Sequence, residues 1–144
     1  MSSETFHKIL AADDGSPEGE RAADTALRLA AELKAEVILL AVKAPPNAHE
    51  IEGYTKYEDP AVFRRKMQER FWRLSQLGES FGVRVYCEIV EGQPADEIRK
   101  FAETQSVDLI VLGRRKMSSL MRLFAGSISE SVMRDATCSV MIAR

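Results

Sequence analysis

Short apolar runs alternate with longer segments of helical periodicity along the whole chain. The five apolar runs cover residues 9–12, 37–42, 83–90, 107–112 and 139–143. Between them, apolar side chains recur every three or four residues, as Ala22, Ala26 and Ala30 do after the first run. Apolar recurrence at that spacing is typical of helices that face a core. The pattern therefore predicts five strands with helices between them.

Strands that alternate with helices predict right-handed β-α-β crossovers, and hence a parallel sheet with helices on both faces. We expect one α/β domain over residues 1–144, built on an open five-stranded parallel sheet. The run from Val37 to Val42 is apolar throughout, which suits a strand buried on both sides. The run from Val83 to Val90 alternates more strongly, which indicates a place at the sheet edge.

Helix starts are marked by capping residues and prolines. Ser16 precedes Pro17, Asp59 precedes Pro60, and Pro94 begins a further helix. A last helix is predicted over residues 126–135. In the helix after Pro60, large apolar residues mostly share one face, and we expect them and Trp72 to pack in the core: Val62, Phe63, Met67, Phe71, Leu74 and Phe81.

Composition narrows the class of protein. The chain has 144 residues, is 45% hydrophobic and carries a net charge of −2, so nothing in its charge favours nucleic acid. No run is long enough for a membrane span, and the N-terminus has no apolar core of a signal peptide. Cys87 and Cys138 are isolated in apolar runs, so we expect two reduced, buried thiols in a cytoplasmic protein.

Two predicted strand ends carry polar chemistry. The first strand ends in Asp13-Asp14-Gly15-Ser16, and the fourth ends in Gly113-Arg114-Arg115-Lys116. In open parallel sheets, ligands bind beyond the carboxyl ends of the strands where the strand order reverses. If these two strands are neighbours at that point, both ends line one crevice.

The residues around the second strand end suit phosphate. Gly113 allows a tight turn, and the start of the last helix presents free N–H groups together with the hydroxyls of Ser127 and Ser129. The cations at 114–116 can add charge-assisted bonds. In the alternative interpretation, Ser127 only caps the helix and the cations are solvated.

The two carboxylates at the first strand end have open roles. Asp14 can accept a hydrogen bond from a ribose hydroxyl, or it can join Ser16 in capping the next helix. Asp13 and Asp14 are successive residues, which point to opposite faces in a strand. If Asp13 faced bound phosphates, it would repel them.

Hydrolytic machinery is not evident from the sequence. The segment "GSISE" has Glu130 where a nucleophile elbow has glycine, and there is no G-x-x-x-x-G-K-[ST] phosphate loop. His7 and His49 are far apart and have no metal-ligand pattern. An enzyme acting on a phosphorylated small molecule would need an acid or base, and only Asp13 or Asp14 is well placed.

Three segments together resemble the universal stress protein family: "KILAADDGSPEGERAADTALRLA", "DLIVLG" and "GSISESVMRDATCSVMIAR". The resemblance covers nearly the whole chain. It implies a five-stranded parallel α/β fold and a homodimer that pairs the last strands, here Ser139 to Ala143.

One branch of that family binds ATP through G-x-x-G-x₉-G-[ST]. Gly113 matches the first glycine and Gly126-Ser127 the final pair, whereas Lys116 replaces the second glycine. The ammonium of Lys116 either obstructs the phosphate path or binds the phosphates. Asp13 stands where the family more often has a small or apolar residue. The resemblance also implies further contacts to ATP. It places Val42 near the adenine and Asp14 near the ribose. Along the triphosphate it places Arg115, Ile128 and Ser129.

Two functions of different kinds follow. The first is a stress-response module that binds ATP, with or without magnesium, as a ligand rather than as a rapidly hydrolysed substrate. The second is a nucleotide-free dimeric interaction protein of the same fold, which the departures at Lys116 and Asp13 favour.

Overall fold

Strands and helices alternate in the structure as the sequence predicts. It is a computed structural model and describes residues 6–45, 58–114 and 128–144. The strands are β1 (Lys8–Asp13), β2 (Glu36–Lys43), β3 (Val85–Glu91), β4 (Leu109–Gly113) and β5 (Ser139–Ala143). The helices are α1 (Pro17–Leu33), α2 (Pro60–Ser80), α3 (Pro94–Thr104) and α4 (Ile128–Asp135).

The five strands form one parallel sheet in the order β3-β2-β1-β4-β5. The chain moves outward from β1 to β3 and then returns to the other side of β1 with β4. The strand order therefore reverses between β1 and β4, the two strands whose ends carry the polar chemistry. The predicted fold class is confirmed, and β3 lies at an edge as its alternating pattern indicates.

Two apolar layers cover the sheet. Ile9 and Ala11 of β1 pack with α1 and α2 on one face, where Ala26 and Phe71 are buried. Leu10 points to the other face, which α3 and α4 cover. The same alternation directs the side chain of Asp13 toward the α1 and α2 face.

The predicted caps hold the helix starts. The Ser16 hydroxyl accepts a hydrogen bond from the Gly19 amide at 3.0 Å, and Asp59 accepts one from the Ala61 amide at 2.8 Å. Beyond α2, Gly82 has a φ of +76°, which glycine adopts without strain. None of the helices within the described residues is long and apolar enough to cross a membrane.

Two strands begin later than predicted, for the same reason. The Val83 amide donates to Gly78 O, and the Val107 amide donates to Ala102 O, both at 2.8 Å. Both valines are buried. They are the apolar residues that pack back after a helix C-terminus, so they belong to the ends of α2 and α3 rather than to β3 and β4.

The predicted burial of four side chains needs correction. Val62, in the first turn of α2, is 47% exposed. Trp72 is 68% exposed, because it lies on α2 away from the stripe that Phe71 and Met67 bury. Cys87 is exposed on the edge strand β3, and Cys138 is only half-buried. Neither cysteine forms a disulfide within the described residues.

Candidate functional site

A cavity of about 290 Å³ opens at the carboxyl ends of four strands. Its apolar lining includes Ala12 of β1, Val42 of β2, Leu112 of β4 and Ile142 of β5, with Ile98 of α3 beside them. The cavity spans the point where the strand order reverses between β1 and β4, which is where open parallel sheets bind ligands. We call this cavity the crevice.

Predicted site residues from four different elements meet in the crevice. Those that line it are Asp14, Val42, Gly113, Ile128 and Ser129. The other three, Arg115, Gly126 and Ser127, lie outside the described residues, as does Lys116. The expectation that the ends of the first and fourth strands share one crevice therefore agrees with the geometry.

Asp14 is exposed at the crevice rim, in the turn between β1 and α1. Its Oδ1 accepts hydrogen bonds from the amide of Ser16 at 2.9 Å and from the Ser16 hydroxyl. The same hydroxyl caps α1 through Gly19. Asp14 thus takes the predicted capping role. A carboxylate has two oxygens with several acceptor sites, so this role leaves it able to accept from a ligand hydroxyl as well.

Asp13 also borders the crevice, but it is only 2% exposed. Its Oδ1 accepts from the Gly15 amide at 2.8 Å and from Arg70 Nη1 at 2.7 Å. Burial raises the pKa of the Asp13 carboxyl, while the Gly15 amide and the Arg70 guanidinium oppose that rise. Because Arg70 balances its charge and α2 covers it, Asp13 does not present an exposed charge to phosphates.

Arg70 of α2 was not predicted as a functional residue. Besides Asp13, its guanidinium donates to Ser16 O at 3.0 Å and to Gly15 O at 3.2 Å. A signal for it does exist in the sequence. Arg70 follows Phe63 by seven residues, on the apolar stripe of α2. A cation at a core position, together with an unexpected acid at a strand end, predicts a buried pair.

Two glycines allow the chain to approach itself closely at the crevice. A Cβ on Gly113 would collide with the carbonyl oxygen of Glu18, so glycine is needed there for contact with α1. Gly113 thus serves close packing, whereas the sequence suggested a tight turn. A Cβ on Gly19 would collide with the carboxylate of Asp13 and come within 2.9 Å of the Asp14 carboxylate. The sequence analysis did not identify Gly19 as a residue of the site. A glycine in the first turn of a helix, shortly after two acids, could have indicated this close contact.

The first turn of α4 forms another side of the crevice, through Ile128 and Ser129. The N–H groups of a helix first turn have no partner within the helix and carry partial positive charge. Arg114, beyond β4, also lines the crevice, and Glu18 faces it from α1. The charged groups at the rim are therefore of both signs among the described residues.

Metal ligands do not cluster in the described part of the chain, where no group of three or more His, Cys, Asp or Glu side chains is placed to hold an ion. The lining of the crevice offers a ligand an apolar surface, the carboxylate of Asp14 and the N–H groups at the start of α4.

Comparison with known proteins identifies the family. The sequence model of the universal stress protein family matches residues 5–144. Universal stress protein MJ0531 of Methanocaldococcus jannaschii is 33% identical over 141 residues, which cover 96% of this chain and 82% of that protein. YxiE, a universal stress protein of Bacillus subtilis, is 31% identical over 147 residues, which cover 96% of this chain and 99% of that protein.

A solved structure shares the fold at lower identity. It is a universal stress protein in complex with cAMP, which aligns with a TM-score of 0.75 at 22% identity over 98% of both chains. Together with the family match across nearly the whole chain, these likenesses agree with the sheet order and helices described above. The chain belongs to the universal stress protein family.

Proposed function

We propose that the crevice binds an adenine nucleotide, with ATP as the natural ligand, and that the protein is a nucleotide-binding stress-response module. The observation that carries the proposal is the convergence of Asp14, Val42, Gly113, Ile128 and Ser129 on one largely apolar cavity at the reversal of strand order. Apolar cavities with a few converging polar groups are the usual form of small-molecule sites.

Each residue has a chemical task in this proposal. Val42 and the neighbouring apolar side chains offer a surface for the adenine ring. The Asp14 carboxylate accepts from a ribose hydroxyl. Gly113 lets β4 lie close to α1, while Ile128 and Ser129 bring the first turn of α4 to the phosphates. Arg115, Gly126 and Ser127, which lie outside the described residues, complete the phosphate contacts by resemblance to the ATP-binding branch.

The size of the crevice agrees with the nucleoside part of such a ligand. Its volume of about 290 Å³ is at the lower end of the roughly 300–1,000 Å³ of small-molecule sites. Adenine and ribose fit a space of that order, and in this proposal the phosphates extend toward the first turn of α4. Another family member of known structure, from Archaeoglobus fulgidus, is described in complex with dAMP. Binding of an adenine nucleotide is thus chemically reasonable for this fold.

Rapid catalysis is not part of the proposal. Asp13, one of the three acids that line the crevice within the described residues, is covered and paired with Arg70. ATP is therefore proposed as a bound ligand, with magnesium on its phosphates, and any hydrolysis is slow.

We also propose a cytoplasmic homodimer that pairs the two copies of Ser139–Ala143. This segment is β5, an edge strand of the described sheet, and its backbone faces no further strand of the same chain there. Sedimentation velocity at micromolar concentration should give the mass of a dimer. A monomer at all concentrations would exclude this part of the proposal.

A carboxylate placed in the crevice tests the proposed site. We expect Ser129→Glu to weaken ATP binding by about tenfold or more, because the added charge lies beside the phosphates. Ala61→Glu is the matched control, since it adds the same charge to the exposed first turn of α2. Equilibrium dialysis with ATP measures both.

Three outcomes of the dialysis are informative. Binding by the wild type and the control, with loss in Ser129→Glu, supports the crevice. Equal binding by all three proteins rejects the crevice as the site. No binding by the wild type at millimolar ATP favours the nucleotide-free interaction protein instead.

A further inference from the structure

One guanidinium holds three successive parts of the β1–α1 turn. Arg70 Nη1 bonds Asp13 Oδ1 at 2.7 Å and Ser16 O at 3.0 Å, and Nη2 bonds Gly15 O at 3.2 Å. The Arg70 side chain is 11% exposed and that of Asp13 is fully buried. A buried, multidentate guanidinium loses little freedom per bond, so this arrangement fixes the turn firmly.

The hold on the turn extends to the first turn of α1. Glu20 lies 3.5 Å from Arg70 Nε and accepts a hydrogen bond from Arg73 Nη1 at 2.6 Å. Arg70 and Arg73 both belong to α2. The network therefore ties one helix to both the strand end and the start of the next helix.

Asp14 lies inside this held turn, between residues that contact Arg70. Both neighbours of Asp14 accept hydrogen bonds from Arg70: Asp13 through its carboxylate and Gly15 through its backbone carbonyl oxygen. Gly19 borders the carboxylates of both Asp13 and Asp14. A shift of Asp13 or of the 15–16 carbonyls therefore moves the Asp14 carboxylate relative to the crevice.

We propose that Arg70 is a positioning residue for ligand binding: it holds the turn at Asp13, Gly15 and Ser16, and so sets where Asp14 meets the ribose. Arg70 acts from the α2 side of the turn and does not line the crevice within the described residues. The inference rests on the proposed adenine-nucleotide function. It adds that the strength of ribose recognition is controlled from the opposite face of the sheet.

The experiment separates positioning from folding. Arg70→Met leaves Asp13 buried without its cation, so this variant is expected to lose stability. The double variant Asp13→Leu with Arg70→Met replaces the pair by apolar side chains, which is often tolerated in a core. It does not restore the bonds to Gly15 O and Ser16 O, and it also removes the acceptor of the Gly15 amide. The double variant should therefore melt near the wild-type temperature and still bind ATP about tenfold more weakly. A folded Arg70→Lys protein, which keeps Asp13, must therefore show weaker ATP binding as well if Arg70 is the cause.

A ribose comparison identifies the cause of that loss. Calorimetric titration with ATP, 2′-deoxy-ATP and 3′-deoxy-ATP gives the preference for each hydroxyl. The preference is the ratio of the affinity for ATP to the affinity for the deoxy analogue that the wild type binds more weakly. In the double variant, we expect this ratio to fall toward one. Arg65→Met, an exposed arginine on the same helix, is the control and should keep both affinity and preference.

Each outcome has a distinct meaning. If the double variant is folded and binds ATP within about twofold of the wild type, Arg70 does not position the ligand turn, while the nucleotide function stands. If the wild type gives no heat with ATP, both proposals fall. If the double variant does not fold, Arg70→Lys decides. A lysine keeps the charge but cannot span three acceptors, so unchanged ATP affinity in a folded Arg70→Lys protein contradicts the inference.

Discussion

The two sides of the β1–α1 turn differ in almost every physical respect. On the α2 side, Asp13 is buried and its charge is balanced by Arg70 at 2.7 Å. On the crevice side, Asp14 is exposed, and its Oδ1 accepts hydrogen bonds from the amide and the hydroxyl of Ser16. The two acids are adjacent in sequence, yet Asp13 is the last residue of β1 and is buried, whereas Asp14 lies in the turn after it and is exposed.

The difference shows how a charge that looks unsuitable for an anion site can still support one. A negative side chain at position 13 would oppose phosphates if it were open to the crevice. Paired with Arg70 inside the α2 layer, it instead supports the turn that carries Asp14. The same residue type thus has a packing role on one side and a proposed ligand role on the other.

The largest expected effect comes from breaking the buried pair on the α2 side. Asp13→Leu alone should lower the free energy of unfolding by about 3–5 kcal/mol, because Arg70 stays largely buried and loses its nearest carboxylate. Adding Arg70→Met should recover most of that loss. Urea unfolding of both single variants and of the double variant measures the coupling. A loss below about 1 kcal/mol in Asp13→Leu would mean that the pair behaves like an exposed one.

The crevice side is tested by Gly113→Ala. Its Cβ collides with the Glu18 carbonyl oxygen, so β4 and α1 must move apart, at a cost of about 1–3 kcal/mol in unfolding free energy. We also expect weaker ATP binding, because that contact borders the crevice. Gly82→Ala is the control: its Cβ meets open space but its φ is +76°, so it should lower stability without changing ATP affinity. Equal ATP affinity in both variants would count against a site at Gly113.

A smaller, pH-dependent effect is expected at Glu20. The hydrogen bond from Arg73, aided by Arg70, holds the Glu20 pKa below its ordinary value of 4.5. An acid whose pKa is lower in the folded state stabilises the fold at pH values above its pKa in the unfolded chain. This stabilisation is lost as the pH falls through the pKa of the folded state. Glu20 is 35% exposed, so solvent screening limits its contribution to less than about 1 kcal/mol.

The measurement for Glu20 is urea unfolding at pH 7 and at pH 3.5. Glu20→Gln should be less stable than the wild type at pH 7, and the difference should shrink at the lower pH. The exposed Glu79→Gln on α2 serves as the control. A difference between Glu20→Gln and the wild type that grows as the pH falls would contradict the assigned direction. The raised pKa of Asp13 gives the opposite dependence of stability on pH. Because Asp13 is present in both proteins, its contribution cancels in the comparison.

The smallest effect is predicted for Trp72→Ala on the outer surface of α2. With 68% of the residue exposed, its removal should change the unfolding free energy by less than about 0.5 kcal/mol and leave ATP affinity unchanged. Thermal melting and the ATP titration check both. A decrease of several kcal/mol in the free energy of unfolding would contradict this prediction and would mean that Trp72 packs in the core, as the sequence suggested.

The fold was accessible from the sequence because its signals are periodic and local. Apolar runs, helical spacing and capping residues such as Ser16 and Asp59 each depend on neighbours within a few positions. Strand starts at Val83 and Val107 were misplaced because an apolar residue after a helix looks the same whether it opens a strand or packs back on the helix.

The site was accessible only in part. Asp14, Val42 and Gly113 could be placed at strand ends by pattern and resemblance. The pairing of Asp13 with Arg70 joins residues 57 positions apart, and no local pattern specifies which distant cation a buried acid meets. Trp72 shows the same limit, since helical spacing alone does not say which neighbouring face is covered.

The central claim is that ATP binds in the crevice at the reversal of strand order. Backbone amide spectra of the isotope-labelled protein, recorded during a titration with ATP and magnesium, test it residue by residue. The account predicts saturable shifts at Asp14, Val42, Gly113 and Ser129, with little change at the distant Trp72. Unchanged spectra at these four positions up to millimolar ATP, or shifts confined to other surfaces, would contradict it.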